Sequence, residues 1–177
     1  MNKGFIAISL LALSSSAFAI DGTIQFSGAF TDSPCEINVN GSTTTGSSSA
    51  SVILDTWNVA NYKGNVGATT DLKPITISLS GCPSKTQANI QFNGTVNATN
   101  PELFAIQTGA GAASNVGIAL YSSSNTADII TPNTRDLAIP LTTQAGEKTI
   151  YASYMTTGSD VGQGEANADV TIDISYE

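Results

Sequence analysis

Two segments near opposite ends of this 177-residue chain alternate apolar and polar side chains with a period of two, the pattern of an extended strand with one buried face. In the first, Ile24, Phe26, Gly28 and Phe30 share a face, with Gln25, Ser27 and Ala29 on the other. In the second, Val170, Ile172, Ile174 and Tyr176 share a face. A helical period of 3.6 would scatter both sets around a cylinder, so each segment is half of a sheet interface and needs a partner. Alternation alone leaves open whether the first strand pairs within its own sheet, serves another molecule or folds back into its own domain.

Residues 1–19 stand apart from the fold. Lys3 supplies a positive start, Phe5 to Leu13 an apolar run, and Ala17-Phe18-Ala19 a small-residue cleavage site, which together predict a secretory signal. Its removal leaves 158 residues, suited to one domain with one core. The apolar run falls short of the ~20 residues that span a bilayer, so the mature chain is expected to be soluble or part of an extracellular assembly. Lys63, Lys73, Lys85, Arg135 and Lys148 then face 14 acidic residues, a net charge of −9 that disfavours nucleic acid and anionic lipid as partners. Histidine is absent, which removes the commonest general base and zinc ligand.

Cys35 and Cys82 are the only cysteines, and export places them in an oxidising compartment, so one intramolecular disulfide is expected. Closing a loop of this size contributes about 4 kcal/mol in the chain-entropy account. Between and beyond them the sequence reads as short strands. Cys35 to Val39 with Ser51 to Leu54, then segments around Ile75, Ile90, Ile118, Tyr151 and Ile172, and the one at Ile24, are separated by Asn-Gly, Asn-Pro, Thr-Pro and Ala-Gly turns. Gly41 to Ala50 is a Ser/Thr/Gly tract without periodicity, expected to be a loop, and Pro101 to Phe104 suits one helical turn. Strands at this spacing predict an all-β, immunoglobulin-like two-sheet sandwich. Such a sandwich calls for a further strand after the one ending at Glu177, and none follows, so it is expected to be left open.

Four stretches, in this order and spacing, carry a resemblance to a known family. They are Gly22-Thr23-Ile24-Gln25-Phe26-Ser27-Gly28 before the first cysteine, Ile77-Ser78-Leu79-Ser80-Gly81-Cys82 around the second, Ala113-Ser114-Asn115-Val116-Gly117-Ile118 in the middle, and Gly164-Glu165-Ala166-Asn167-Ala168-Asp169 before a last strand with Tyr176 penultimate. On these the whole mature chain resembles the pilin subunits of type 1-like fimbriae assembled by the chaperone–usher route.

The resemblance implies an incomplete immunoglobulin-like sandwich lacking its final strand, completed by a donor strand from a neighbouring subunit or a periplasmic chaperone. It implies a signal peptide over 1–19, a donor extension over 20–31 and a pilin domain over 32–177. Ile24, Phe26, Gly28 and Phe30 would be donated; Val170, Ile172, Ile174, Tyr176 and Glu177 would flank the receiving groove and meet the chaperone. Donor and acceptor surfaces differ, so the polymer is head-to-tail, as a homo- or hetero-polymer, and does not close. An outer-membrane usher would be the third partner, and the route would run through the periplasm to the cell surface. The family often carries a basic residue in the strand holding Tyr151 and Tyr154, where Ser153 stands here.

The expected function is therefore a structural subunit of an adhesive fimbria, not an enzyme, with no cofactor and no metal. A glycan-binding tip adhesin or adaptor is the alternative, and a monomeric ligand-binding sandwich the third. Other motifs carry less. Gly109-Ala110-Gly111 lacks the strand-to-helix context of a dinucleotide site. Asp160, Glu165 and Asp169 lack the spacing of an EF-hand and read as a solvated acidic turn. Asn40-Gly41-Ser42, Asn93-Gly94-Thr95 and Asn97-Ala98-Thr99 read as turns rather than glycosylation sites, and Trp57 and the tyrosines as packing rather than a sugar site.

Overall fold

A computed structural model describes residues 34–44 and 49–177, all within the unit Asp32–Glu177. The expected signal peptide over 1–19 and the donor extension over 20–31, with Ile24, Phe26, Gly28 and Phe30, lie outside the described residues. Ten strands follow in order: β1 Glu36–Val39, β2 Ser42–Thr43, β3 Lys73–Ser80, β4 Gln87–Asn93, β5 Phe104–Ala105, β6 Val116–Tyr121, β7 Ile129–Ile130, β8 Leu137–Pro140, β9 Gly146–Thr156 and β10 Thr171–Tyr176. They form two antiparallel sheets among the described residues, one in the order β2-β1-β3-β9-β6-β5 with β7 also on β6, the other β10-β4-β8.

The period-two code explains which side chains meet between the sheets. On β3, Ile75, Ile77 and Leu79 are buried while Thr76 and Ser78 turn outward. Ala88, Ile90 and Phe92 of β4, Leu137 and Ile139 of β8, and Ile150 and Ala152 of β9 complete the core. A second cluster of Leu103, Ala119 and Tyr121 covers the outer face of the larger sheet, joined by Tyr151 and Met155. There Ser153, fully buried, lies 3.3 Å from the Tyr121 hydroxyl. The serine is small enough to be covered completely and has its hydroxyl partnered there.

The disulfide Cys35–Cys82 ties the start of β1 to the chain just past β3, with both residues buried. Asn40 and Gly41, at φ +51° and +86°, make the two-residue turn that lets β1 pair with β2 across Val39 and Ser42. Part of the Ser/Thr tract expected as a loop is thus a hairpin arm. Residues 51–54, expected as a strand, partly bury Val52 and Leu54 and expose Ser51 and Ile53, yet enter no ladder among the described residues. The alternation records burial on one side, which an extended coil against a sheet edge supplies equally well. Pro101 to Phe104 is a turn leading into β5, and β5, β7 and β8 were not expected. Two of these strands span two residues, too few for a period to register. β8 ends in Pro140, which lacks an N–H and is tolerated because β8 is an edge strand.

Burial pushes the phenols of Tyr121 and Tyr154 above their ordinary 10.0, the Ser153 hydrogen bond pulling Tyr121 partly back. The folded state therefore holds these protons longer than the unfolded chain does. Their stabilising contribution is complete below about pH 10 and is lost as pH rises through the raised values. Thermal melting is expected to fall in that alkaline range and to fall less steeply in Tyr121→Phe; an equal fall in both would refute the assignment.

Candidate functional site: an open cleft beside the last strand

β10 is paired along its whole length on one side only. Its residues run from Thr171 opposite Asn93 to Tyr176 opposite Ala88 on β4, and its other edge carries no ladder among the described residues. Ile172, Ile174 and Tyr176 turn toward the core but stay half-exposed, whereas Ile90 beside them on β4 is completely buried. An inward face left half-open means that nothing from the other sheet reaches over it.

Across from β10 stand Ile37 and Val39 of β1 with Ala50, Val52 and Leu54 of the neighbouring coil. Between these walls runs a cleft of about 410 Å³. Ile75, Ile77, Phe92, Ile118, Leu120 and Ala152 form its floor, and Val170 and Ile172 part of its wall. Its polar lining is confined to Thr44, Ser49 and Thr171, and no ionisable side chain among the described residues lines it. A slot with an apolar floor and one unpaired strand edge suits an extended peptide, which offers backbone hydrogen bonds to the edge and every second side chain to the floor.

At the far end the two sheets are joined. The Tyr176 hydroxyl accepts a hydrogen bond from the Cys35 N–H at 2.9 Å, so the penultimate tyrosine reaches from β10 to the foot of β1 beside the disulfide. The backbone of Glu177 donates to Gln87 O at 3.0 Å and accepts from Thr86 N at 2.9 Å, which pins the last residue against the start of β4.

Of the residues singled out from sequence, Val170 and Ile172 line the open part of the cleft. Ile174 and Tyr176 pack against the core further along the same face, and the Glu177 side chain is exposed outside it. Sequence reasoning missed Ile37, Val52, Leu54, Ile118 and Leu120. Val52 and Leu54 carried a readable signal in their alternation; Ile118 and Leu120 read only as core.

A family profile described as fimbrial protein matches residues 24–177. The chain belongs to this family. Long polar fimbria protein A of Salmonella typhimurium is 35% identical, over 100% of this chain and 98% of its own length. Among solved structures, an antigen and type I fimbria protein of Burkholderia pseudomallei superposes with a TM-score of 0.56 at 31% identity, covering 82% of this chain and 91% of that one. The P pilus rod subunit PapA reaches a TM-score of 0.61 at 14% identity, over 82% of this chain and all of that one, which shows a shared fold. The chain is thus a structural pilus subunit with an immunoglobulin-like sandwich fold, in a family of surface fimbrial proteins.

Proposed function

We propose that this fimbrial subunit polymerises by donor-strand exchange, residues 20–31 of one copy entering the cleft beside β10 of the next. The observation that carries this reading is the half-exposed inward face of β10, unpaired along one edge among the described residues and facing β1 across an apolar cleft of about 410 Å³. The nine residues Gly22 to Phe30 reach about 30 Å when extended, longer than the roughly 20 Å of the six-residue β10. Ile24, Phe26 and Phe30 would each gain roughly 1.5–3 kcal/mol by full burial, and Gly28, with no side chain, suits a shallow stretch of floor.

Before assembly an open edge of this kind templates wrong pairings. A periplasmic chaperone that lends its own strand to β10 removes that hazard, with the Tyr176–Glu177 end as its contact, and an outer-membrane usher then orders the exchange. Export through the periplasm follows from the signal over 1–19. The subunit performs no catalysis: its work is the subunit-to-subunit bond.

The chain lacking residues 1–31 is expected to refold poorly alone and to recover a sharp, higher melting transition when a peptide of residues 20–31 is supplied. A truncated chain that melts sharply without the peptide, and no higher with it, would end this reading. Surface-sheared material run with and without boiling tells exchange between copies from self-insertion. A ladder that collapses to one band on heating marks the former.

A further inference from the structure

A second cleft, of about 500 Å³, shares no lining residue with the one beside β10. Three aromatic rings line it: Trp57 and Tyr62, on either side of the short 3-10 turn Val59–Asn61, and Tyr154 of β9. Trp57 and Tyr62 stand at 89° with centroids 6.3 Å apart, two perpendicular walls of a corner. All three rings are half-buried, so each is held in place while part of its surface stays open. The charged residues of the lining are Asp55 and Glu165, both acidic. The loop carrying Glu165 is pressed against the chain at Ala112, where Gly164 leaves no room for a Cβ, which would sit 2.3 Å from the Ala112 carbonyl carbon.

The polar handles of two of these rings, Trp57 and Tyr154, are already engaged. The Trp57 indole N–H donates to Leu54 O at 2.8 Å, and the Tyr154 hydroxyl donates to Ala166 O at 2.9 Å. A hydroxyl-rich ligand such as a sugar would find those two groups committed elsewhere. Apart from the face that Trp57 and Tyr62 share in their edge-on contact, the rings offer π faces to the cleft, whose negative quadrupole attracts a cation and asks for no N–H or O–H. Asp55 is engaged by Lys73 at 3.3 Å, whereas Glu165 has no basic partner at salt-bridge distance among the described residues. One carboxylate therefore remains to add long-range attraction.

We propose that the Trp57–Tyr62–Tyr154 cleft binds an organic ammonium group, of the quaternary or alkylated kind, by cation–π contact. The site is separate from the strand-exchange cleft, so it stands or falls independently of the proposed polymerisation.

Trp57 is the chain's one tryptophan, so within this subunit tryptophan fluorescence reports this corner alone, and a Trp57→Phe variant gives the background from any other subunit. Full-length subunit assembled in fimbriae is titrated with choline and, in parallel, with its uncharged isostere 3,3-dimethyl-1-butanol. Choline is expected to give a saturating change at roughly tenfold or lower concentration than the isostere. Tyr62→Leu should weaken the choline response about tenfold, and the exposed Glu165→Gln about threefold. Glu165→Gln also keeps the test open if Tyr62→Leu fails to assemble. Sedimentation with phosphatidylcholine vesicles separates the sources: co-sedimentation lost in Tyr62→Leu assigns a lipid headgroup, and its absence alongside choline saturation assigns a soluble ammonium compound. Equal responses to choline and the isostere, saturation by a neutral sugar instead, or no saturation by choline would each overturn the proposal.

Discussion

Phe26→Asp is expected to abolish incorporation into fimbriae while leaving capture by the chaperone intact. On the proposed exchange Phe26 serves the neighbouring copy rather than its own sandwich, so the substitution would leave the buried contacts described above in place. In the acceptor cleft, by contrast, the substitution removes roughly 1.5–3 kcal/mol of apolar burial. It also asks a lining without an ionisable side chain to accept a carboxylate, a further cost of several kcal/mol. At 1.4 kcal/mol per decade the exchange equilibrium shifts by about three orders of magnitude or more. Gln25→Asp, one residue away on the opposite face, is the control and should assemble normally. Surface fimbriae and periplasmic chaperone complex are quantified for both variants. Loss of the complex together with the fimbriae in Phe26→Asp would point to a folding defect and against donation.

The second large effect is expected from the paired substitution Cys35→Ser and Cys82→Ser. The bridge closes a loop with a sequence separation of 47, and its loss frees the unfolded chain by about 4 kcal/mol. The position adds to the effect. Cys35 stands where β1 begins, and its N–H is the donor that holds the Tyr176 hydroxyl, so freeing it loosens one end of the cleft as well as the core. In peptide-complemented subunit the urea midpoint should fall by roughly 2 M, taking a slope near 2 kcal/mol per molar. The yield of chaperone-bound subunit should fall with it. An unchanged midpoint and yield would show the bridge to be dispensable.

How much of this was legible beforehand differs from element to element. β3 and β10 were plain, because six to eight residues of strict alternation admit one reading, and in β3 Pro74 and Gly81 mark the ends as well. The disulfide was equally plain, since two cysteines in an exported chain have one pairing. Residues 51–54 misled: their alternation is real, but a one-sided burial pattern does not say whether the backbone finds a ladder partner. β8 escaped notice because four residues ending in proline look like a turn until β4 is beside them. The cleft was half-legible. Its wall at Val170 and Ile172 could be read from β10, whereas Ile118 and Leu120 reach its floor from β6, some fifty residues away in sequence.

The amino-acid sequence by itself determined the strand class, the staple and the alternating face of the last strand, because these depend on local periodicity and composition. Only the tertiary structure decided that β10 keeps one edge unpaired among the described residues, that β1 stands across a gap from it rather than against it, and that Trp57, Tyr62 and Tyr154 meet at a second cleft. The physical reason is the same in each case. Alternation specifies that a face will be buried, but which surface covers it, or fails to, is set by contacts between residues far apart along the chain.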